Sequence, residues 1–266
     1  MKTPHFARRA YFAGAVLALA AFAAPAFGDA KTDLARELTG LVFPREKLIQ
    51  TIAHQFSEDT RTSALGAMQR HFDYSRVERA VVPIYTATFS ADELRRIVAF
   101  HKTAAGRAVQ AATEHGPTAQ KLPARPESPP ADTHATRLAQ AERLTTVMMT
   151  KELTLDALRN LLAHQPAAKR QEVLAQTEQL FNDPVQLRQL RLVRARQFVP
   201  LMTTEELRQV VAFYSTPAGR KLLQHNVRIG QAATEAAMRE AVRVSEVAVE
   251  DAQRELRGVI QGQQNR

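Results

Sequence analysis

The 266-residue chain carries 36 basic and 27 acidic residues, has a formal charge of +9, and contains neither cysteine nor tryptophan. The missing cysteines exclude disulfide staples, thiolate metal sites, thiol nucleophiles and a lipid-modified N-terminal cysteine. With only ten glycines and few alternating β-branched runs, the composition argues against a sheet protein; long stretches rich in Ala, Leu, Arg, Glu and Gln favour helices.

In chain order, Lys2, Arg8 and Arg9 come first and are followed by an uncharged run from Ala10 to Gly28 that ends Ala24-Pro25-Ala26-Phe27-Gly28. A basic head, an apolar middle and a small-residue exit predict a secretory signal over residues 1–28, cleaved after Gly28, and hence a periplasmic protein. Arg8-Arg9 leaves a twin-arginine route open beside the general one. Cleavage would leave 33 basic against 27 acidic residues, a formal charge of +6. That mild excess implies weak contact with anionic envelope surfaces at most. Basic blocks interleaved with stacking aromatics are missing, so nucleic acid is not an expected partner.

Residues 115–135 hold five of the thirteen prolines. Proline removes a backbone donor and disfavours helix in the residue before it, so a semi-rigid linker is expected over 116–132. Helical patterns flank it in parallel. Residues 35–42 (ARELTGLV) match 141–148 (AERLTTVM), and TIAHQ at 51–55 matches LLAHQ at 161–165. Polar helices are expected over 58–71 and 167–181. Asp183-Pro184 predicts a helix start, with Asp as N-cap and Pro in the first helical position. A helix over about 74–86 carries Pro83, which should bend it or end its regular part.

The clearest repeat is FSADELRRIVAFHKTAAGRAV at 89–109 and MTTEELRQVVAFYSTPAGRKL at 202–222, offset by 113 with ten of twenty-one positions identical. Ser90 with Glu93, and Thr203 with Glu206, have capping-box spacing. Leu94, Ile97, Val98 and His101 fall on one helical face, as do Leu207, Val210, Val211 and Tyr214. Thr103-Ala104 and Thr216-Pro217 then restart a helix at a tight corner. Gly106 and Gly219 follow in its first turn, where glycine costs about 1 kcal/mol relative to alanine. A close crossing with the helix just completed would explain them. A final helix is expected from Pro217 to about Gln261, broken near Asn226–Gly230. Met238, Val242, Ser245, Val249, Ala252, Leu256 and Val259 give it a heptad seam.

These residues resemble the bacterial family known as domain of unknown function twenty fifty-nine. Its hallmark is similar to Glu205-Glu206-Leu207 through Phe213-Tyr214-Ser215-Thr216-Pro217-Ala218-Gly219-Arg220. Asp92-Glu93-Leu94 through Phe100-His101-Lys102-Thr103-Ala104-Ala105-Gly106-Arg107 resembles it less well, with His101 in place of the tyrosine and Ala104 in place of the proline. The resemblance implies an exported α-helical protein and brings no catalytic residue.

The expected architecture is therefore all-α. Two tandem helical repeats, 29–115 and 133–266, are joined by the Pro-rich linker, and the second ends in a long helix. Candidate chemistry is sparse. His54 and His164 occupy matched places, but a histidine near a helix C-terminus suits the dipole without further role. His71, His101 and His225 lack zinc-ligand spacing, so no metal or cofactor is expected. The carboxylates Asp92, Glu93, Glu205 and Glu206 are explained by caps. Arg188, Arg191, Arg194 and Arg196 crowd one helix and offer a surface to lipid headgroups or acidic glycan. Phe213, Tyr214 and Met202 offer core or a small apolar cleft. The seam residues Met238, Val242, Val249 and Leu256 offer a surface for self-association or a partner helix. The sequence points to a non-enzymatic protein acting through protein–protein contacts; the alternative is a carrier or sensor of a small apolar or anionic ligand.

Overall fold

A computed structural model describes residues 30–115 and 132–264. The expected signal segment and all of the expected linker except Asp132 lie outside the described residues. Among the described residues the fold is all-α, with twelve helices and no strand. The helices are α1 (30–42), α2 (Arg45–Ala53), α3 (Glu58–His71), α4 (Ser75–Thr88), α5 (Ala91–His101) and α6 (Ala104–His115). The same order then recurs as α7 (His134–Met148), α8 (Lys151–Leu161), α9 (Ala167–Asn182), α10 (Pro184–Phe198), α11 (Thr204–Tyr214) and α12 (Pro217–Gln264).

The opening helices repeat each other in detail. Ala35, Leu38 and Thr39 of α1 are fully buried, as are Ala141, Leu144 and Thr145 of α7. Each threonine returns its hydroxyl to a carbonyl of the preceding turn, Thr39 to Ala35 at 2.8 Å and Thr145 to Glu142 at 2.9 Å. A hydroxyl can thus be buried at a helix contact without an unmet donor.

Both capping boxes form. The Ser90 hydroxyl accepts from the Glu93 amide, and the Glu93 carboxylate accepts from the Ser90 amide at 2.8 Å. Thr203 and Glu206 make the same reciprocal pair, again with 2.8 Å for the return bond. Asp183 accepts from the amides of Val185 and Gln186 at 3.0 Å, so α10 begins where the Asp-Pro pair places it.

The two corners are near-copies. Thr103 Oγ1 donates to the Phe100 carbonyl at 2.7 Å and accepts from the Gly106 amide at 3.0 Å. Thr216 Oγ1 does the same with Phe213 and Gly219, at 2.7 and 3.1 Å. The glycines answer to a close crossing. A Cβ on Gly106 would sit 2.1 Å from the Phe100 carbonyl oxygen, and one on Gly219 2.2 Å from that of Phe213. No side chain fits there without moving backbone.

The repeats do not pack as separate bodies. One continuous core draws on both. The closing helix of each repeat reaches across to the other: α6 lies on α11 and α10, and α12 lies on α4, α3, α5 and α2. Phe100 and Phe213, which are equivalent at the offset of 113, stack face to face with centroids 3.8 Å apart and planes 5° apart. A residue stacked on its own equivalent marks a local pseudo-twofold axis between the two corners.

α12 is pinned along the first repeat. Lys221 reaches the Glu93 carboxylate at 3.0 Å and lies 5.5 Å above the Phe89 ring. Further on, Glu240 is 1% exposed. Its carboxylate accepts from the Asp73 amide at 2.8 Å and from Arg243 Nε at 2.9 and 3.0 Å, and it pairs with Arg76 at 3.1 Å. Burial works to raise the Glu240 pKa; the Arg243 hydrogen bond, the Asp73 amide and the two guanidinium charges outweigh it and hold the carboxyl below its ordinary value. Arg243 also donates to the His71 carbonyl at 2.6 Å. The group closes the junction between α3 and α4.

One expectation about helix continuity is corrected. α12 runs unbroken through Asn226–Gly230. Ile229 and Ala233, on either side of Gly230, are buried, so packing holds a stretch whose residues are weak helix formers. α4 continues to Thr88, past Pro83, with Val81 and Tyr85 buried on its core face.

Candidate functional site

A cavity of about 80 Å³ opens beside the stacked phenylalanines. Its lining comes in equivalent pairs, one residue from each repeat: Val42 with Met148, His101 with Tyr214, Val109 with Leu222, Gln110 with Leu223, and Thr113 with Asn226. Tyr85 completes it. The cavity therefore sits on the pseudo-twofold axis and belongs to both repeats. The corners create it. Each ends one helix at His101 or Tyr214 and starts another within a few residues, so the last turn of one helix and the second and third turns of the next frame the same space.

The polar groups of this cavity are uneven. Gln110 is committed to the wall, its amide donating to the carbonyls of Leu41 and Val42 at 3.1 and 2.9 Å. His101 is 7% exposed, and neither ring nitrogen has a hydrogen-bond partner among the described residues. Its ring meets Phe100 edge-on at 5.5 Å. Burial lowers its pKa to about 4, so the imidazole is neutral at physiological pH. Tyr214 is the counterpart; burial raises its pKa to about 12, and its hydroxyl keeps its proton.

The other sequence candidates are scattered. Phe213 is half-buried in the stack and Met202 is fully buried core. Arg188 is exposed and Arg191 partly buried, and both line a cleft of about 250 Å³ between α7 and α10 with Glu142, Thr146, Pro184, Leu187 and Leu192. Arg191 donates to the Met149 carbonyl at 3.0 Å, where it satisfies an acceptor just past the end of α7. Arg194 reaches Gln197, and Arg196 is exposed. His54 and His164 are both exposed beyond their helices. Asp92 pairs with Arg95, and Glu205 with Arg208, each three residues on along its own helix.

On α12, two faces separate. Ile229, Ala233, Ala236, Ala237, Glu240, Ala241 and Val244 are buried. Val242 is 58% exposed, Val249 56% and Met238 36%, so these seam residues face solvent. Leu256 is on the same helix, with its side chain outside the described residues. Among the described residues no helix is long and apolar enough to cross a membrane.

Sequence reasoning missed Asp132 and the role of His101. Asp132 accepts from the Thr204 amide and hydroxyl, at 3.0 and 2.5 Å, and from Arg137 at 2.8 and 2.9 Å. It ties the start of α7 to the start of α11. The Arg137 hydrogen bond is the chief reason its carboxyl is held well below the usual range. Its proline-rich neighbourhood hid it. His101 was visible as the odd residue of a duplicated block, but its isolation depends on the opposing repeat.

The fold and cavity define an all-α protein made of one helical unit used twice and closed on itself across a pseudo-twofold axis. The model of a family described as an uncharacterized protein conserved in bacteria (DUF2059) matches the chain in two segments, residues 75–115 and 198–246. Each segment contains one complete corner, so the two tandem copies expected from the motif are the two halves of the central contact. No curated protein and no solved structure matches the chain.

Proposed function

We propose that this is an exported, non-enzymatic protein of the bacterial envelope that acts through protein–protein contact along the exposed seam of α12, in the first instance with a second copy of itself. The observation that carries the reading is the division of α12 into two apolar stripes. One is consumed by the fold. The other, with Val242 and Val249 more than half exposed, repeats at heptad spacing and is left without a partner among the described residues. Valines of this exposure recurring on one stripe are the pattern a parallel helix pair buries. The basic head and uncharged run of the first 28 residues support export, and the mild positive charge suits an anionic surface.

Light scattering on the chain lacking residues 1–28 tests the proposal. The wild type is expected at the mass of a dimer, and the Val242→Glu, Val249→Glu double variant at that of a monomer, with unchanged helicity. A wild type that stays monomeric across the accessible concentration range, or a double variant that stays dimeric, overturns it.

A further inference from the structure

We propose that the cavity on the pseudo-twofold axis is a binding site for a small neutral molecule that carries a hydrogen-bond donor and an acceptor on a short apolar body. The site is independent of the α12 seam, and the proposal stands or falls separately from self-association.

The first argument is the orphaned imidazole. A neutral histidine has one donor and one acceptor nitrogen. Both are buried and unpartnered at His101. Native interiors leave such groups unmet rarely, and where they do, a bound species is a physical answer. His101 lines the cavity, so a ligand that meets either nitrogen there must accept from it or donate to it according to the tautomer, and a molecule carrying both groups suits each case.

The second argument is charge. The residues that line the cavity include no Asp, Glu, Lys or Arg. Tyr85 and Tyr214 add hydroxyls, and Val42, Val109, Met148 and Leu222 add apolar wall. An ion entering would shed its hydration without meeting an opposite charge, which disfavours it strongly. A neutral ligand pays no such penalty.

The third argument is size. About 80 Å³ is roughly half the ~150 Å³ that accommodates benzene in an engineered cavity, so the ligand has only a handful of non-hydrogen atoms. The equivalent-pair lining adds a means of coupling. A molecule held there touches α5 and α6 of one repeat and α11 and α12 of the other.

The test uses the chain without residues 1–28, uniformly labelled with nitrogen-15, and propionamide as the probe. Propionamide has an amide donor and acceptor on a two-carbon body; propionate, of the same shape, is the charged control. The expected result is a saturable shift of the His101 ring nitrogens with a Kd on the order of 1 mM, and a response to propionate at least about tenfold weaker. His101→Phe removes both ring nitrogens, with a somewhat larger ring, and is expected to abolish the amide shifts that propionamide induces around Val109. Tyr214→Phe removes one hydroxyl and is expected to weaken binding several-fold. The proposal is overturned by a non-saturating titration, by equal responses to amide and carboxylate, or by undiminished binding in His101→Phe. It is also overturned by ordered water only, seen as water contacts at the His101 ring that propionamide does not displace. If His101→Phe does not fold, unchanged propionamide affinity in Tyr214→Phe overturns it.

Discussion

The two corners of this molecule agree almost atom for atom, and the helices that leave them do not. At Thr103 and at Thr216 the hydroxyl bonds, the carbonyl partners and the forbidden Cβ space are the same within 0.1 Å. Beyond the corner, among the described residues, α6 covers 12 residues and α12 covers 48. On the cavity side of the corner, His101 stands where the other repeat has Tyr214. The duplication is therefore tightest where the backbone must turn within contact of itself. It is loosest where a side chain faces a shared space or a helix can lengthen without disturbing the turn. Backbone collisions leave no latitude, whereas cavity walls and helix length leave much.

The largest expected effect breaks the asymmetry at its source. Glu240 secures α12 to the α3–α4 junction, and the position equivalent to it at the offset of 113, Glu127, lies outside the described residues. Glu240→Ala takes the shared carboxylate from Arg243, Arg76 and the Asp73 amide and should cost about 3 kcal/mol or more, measured by urea denaturation. A loss under about 1 kcal/mol would mean that the apolar stripe alone seats α12.

The agreement between corners is tested next. Gly106→Ala and Gly219→Ala should each cost about 3 kcal/mol, because the added methyl meets a carbonyl oxygen that cannot move without unwinding the preceding helix. The two losses should match within about 0.5 kcal/mol. A clear inequality would show that α12, with its added anchors, relaxes more or less readily than α6.

The smallest effect sharpens the difference between His101 and Tyr214. The folded-state pKa of His101 is lowered from 6.5 to about 4, so the unfolded chain binds more protons in between. The histidine's contribution is intact above pH 6.5 and declines as pH falls towards 4, by roughly 2–3 kcal/mol in all. Tyr85 and Tyr214, which share the cavity, do not titrate in that window. His101→Tyr, which makes the first corner like the second, should remove most of that slope. Free energies of unfolding measured from pH 7 to pH 4 for both proteins decide it, and equal slopes would refute the assignment to this residue.

Local rules made the corners legible. Ser90-x-x-Glu93 and Thr203-x-x-Glu206 announce caps, Asp183-Pro184 announces a start, and Gly106 and Gly219 announce a close crossing, because each depends on residues within one or two turns. The core trio of α1 and α7 was legible for a related reason, as identical spacing in ARELT and AERLT. What could not be read locally depended on packing at long range. Asn226 and Gly230 look like a helix break until Ile229 and Ala233 are seen buried around them. Arg191 looks like part of a charged face until Met149, 42 residues away, takes its hydrogen bond. The central cavity had no sequence signal of its own, since it exists only where residues 113 apart come face to face. Its strongest hint was the substitution of histidine at a position where the sister block keeps tyrosine.

The crossing of the closing helices also bears on how such a unit can exist in a single copy. Taken alone, the first six helices would show water the apolar side of α4 that α12 now covers, and α6 would lose the cover that α11 and α10 give it. A chain holding one unit would have to borrow the missing cover from a neighbour, and the axis between Phe100 and Phe213 would become a true symmetry axis between two molecules. Joining both units on one polypeptide makes that encounter independent of protein concentration. It also frees the two halves to diverge, since a change in one is no longer imposed on the other.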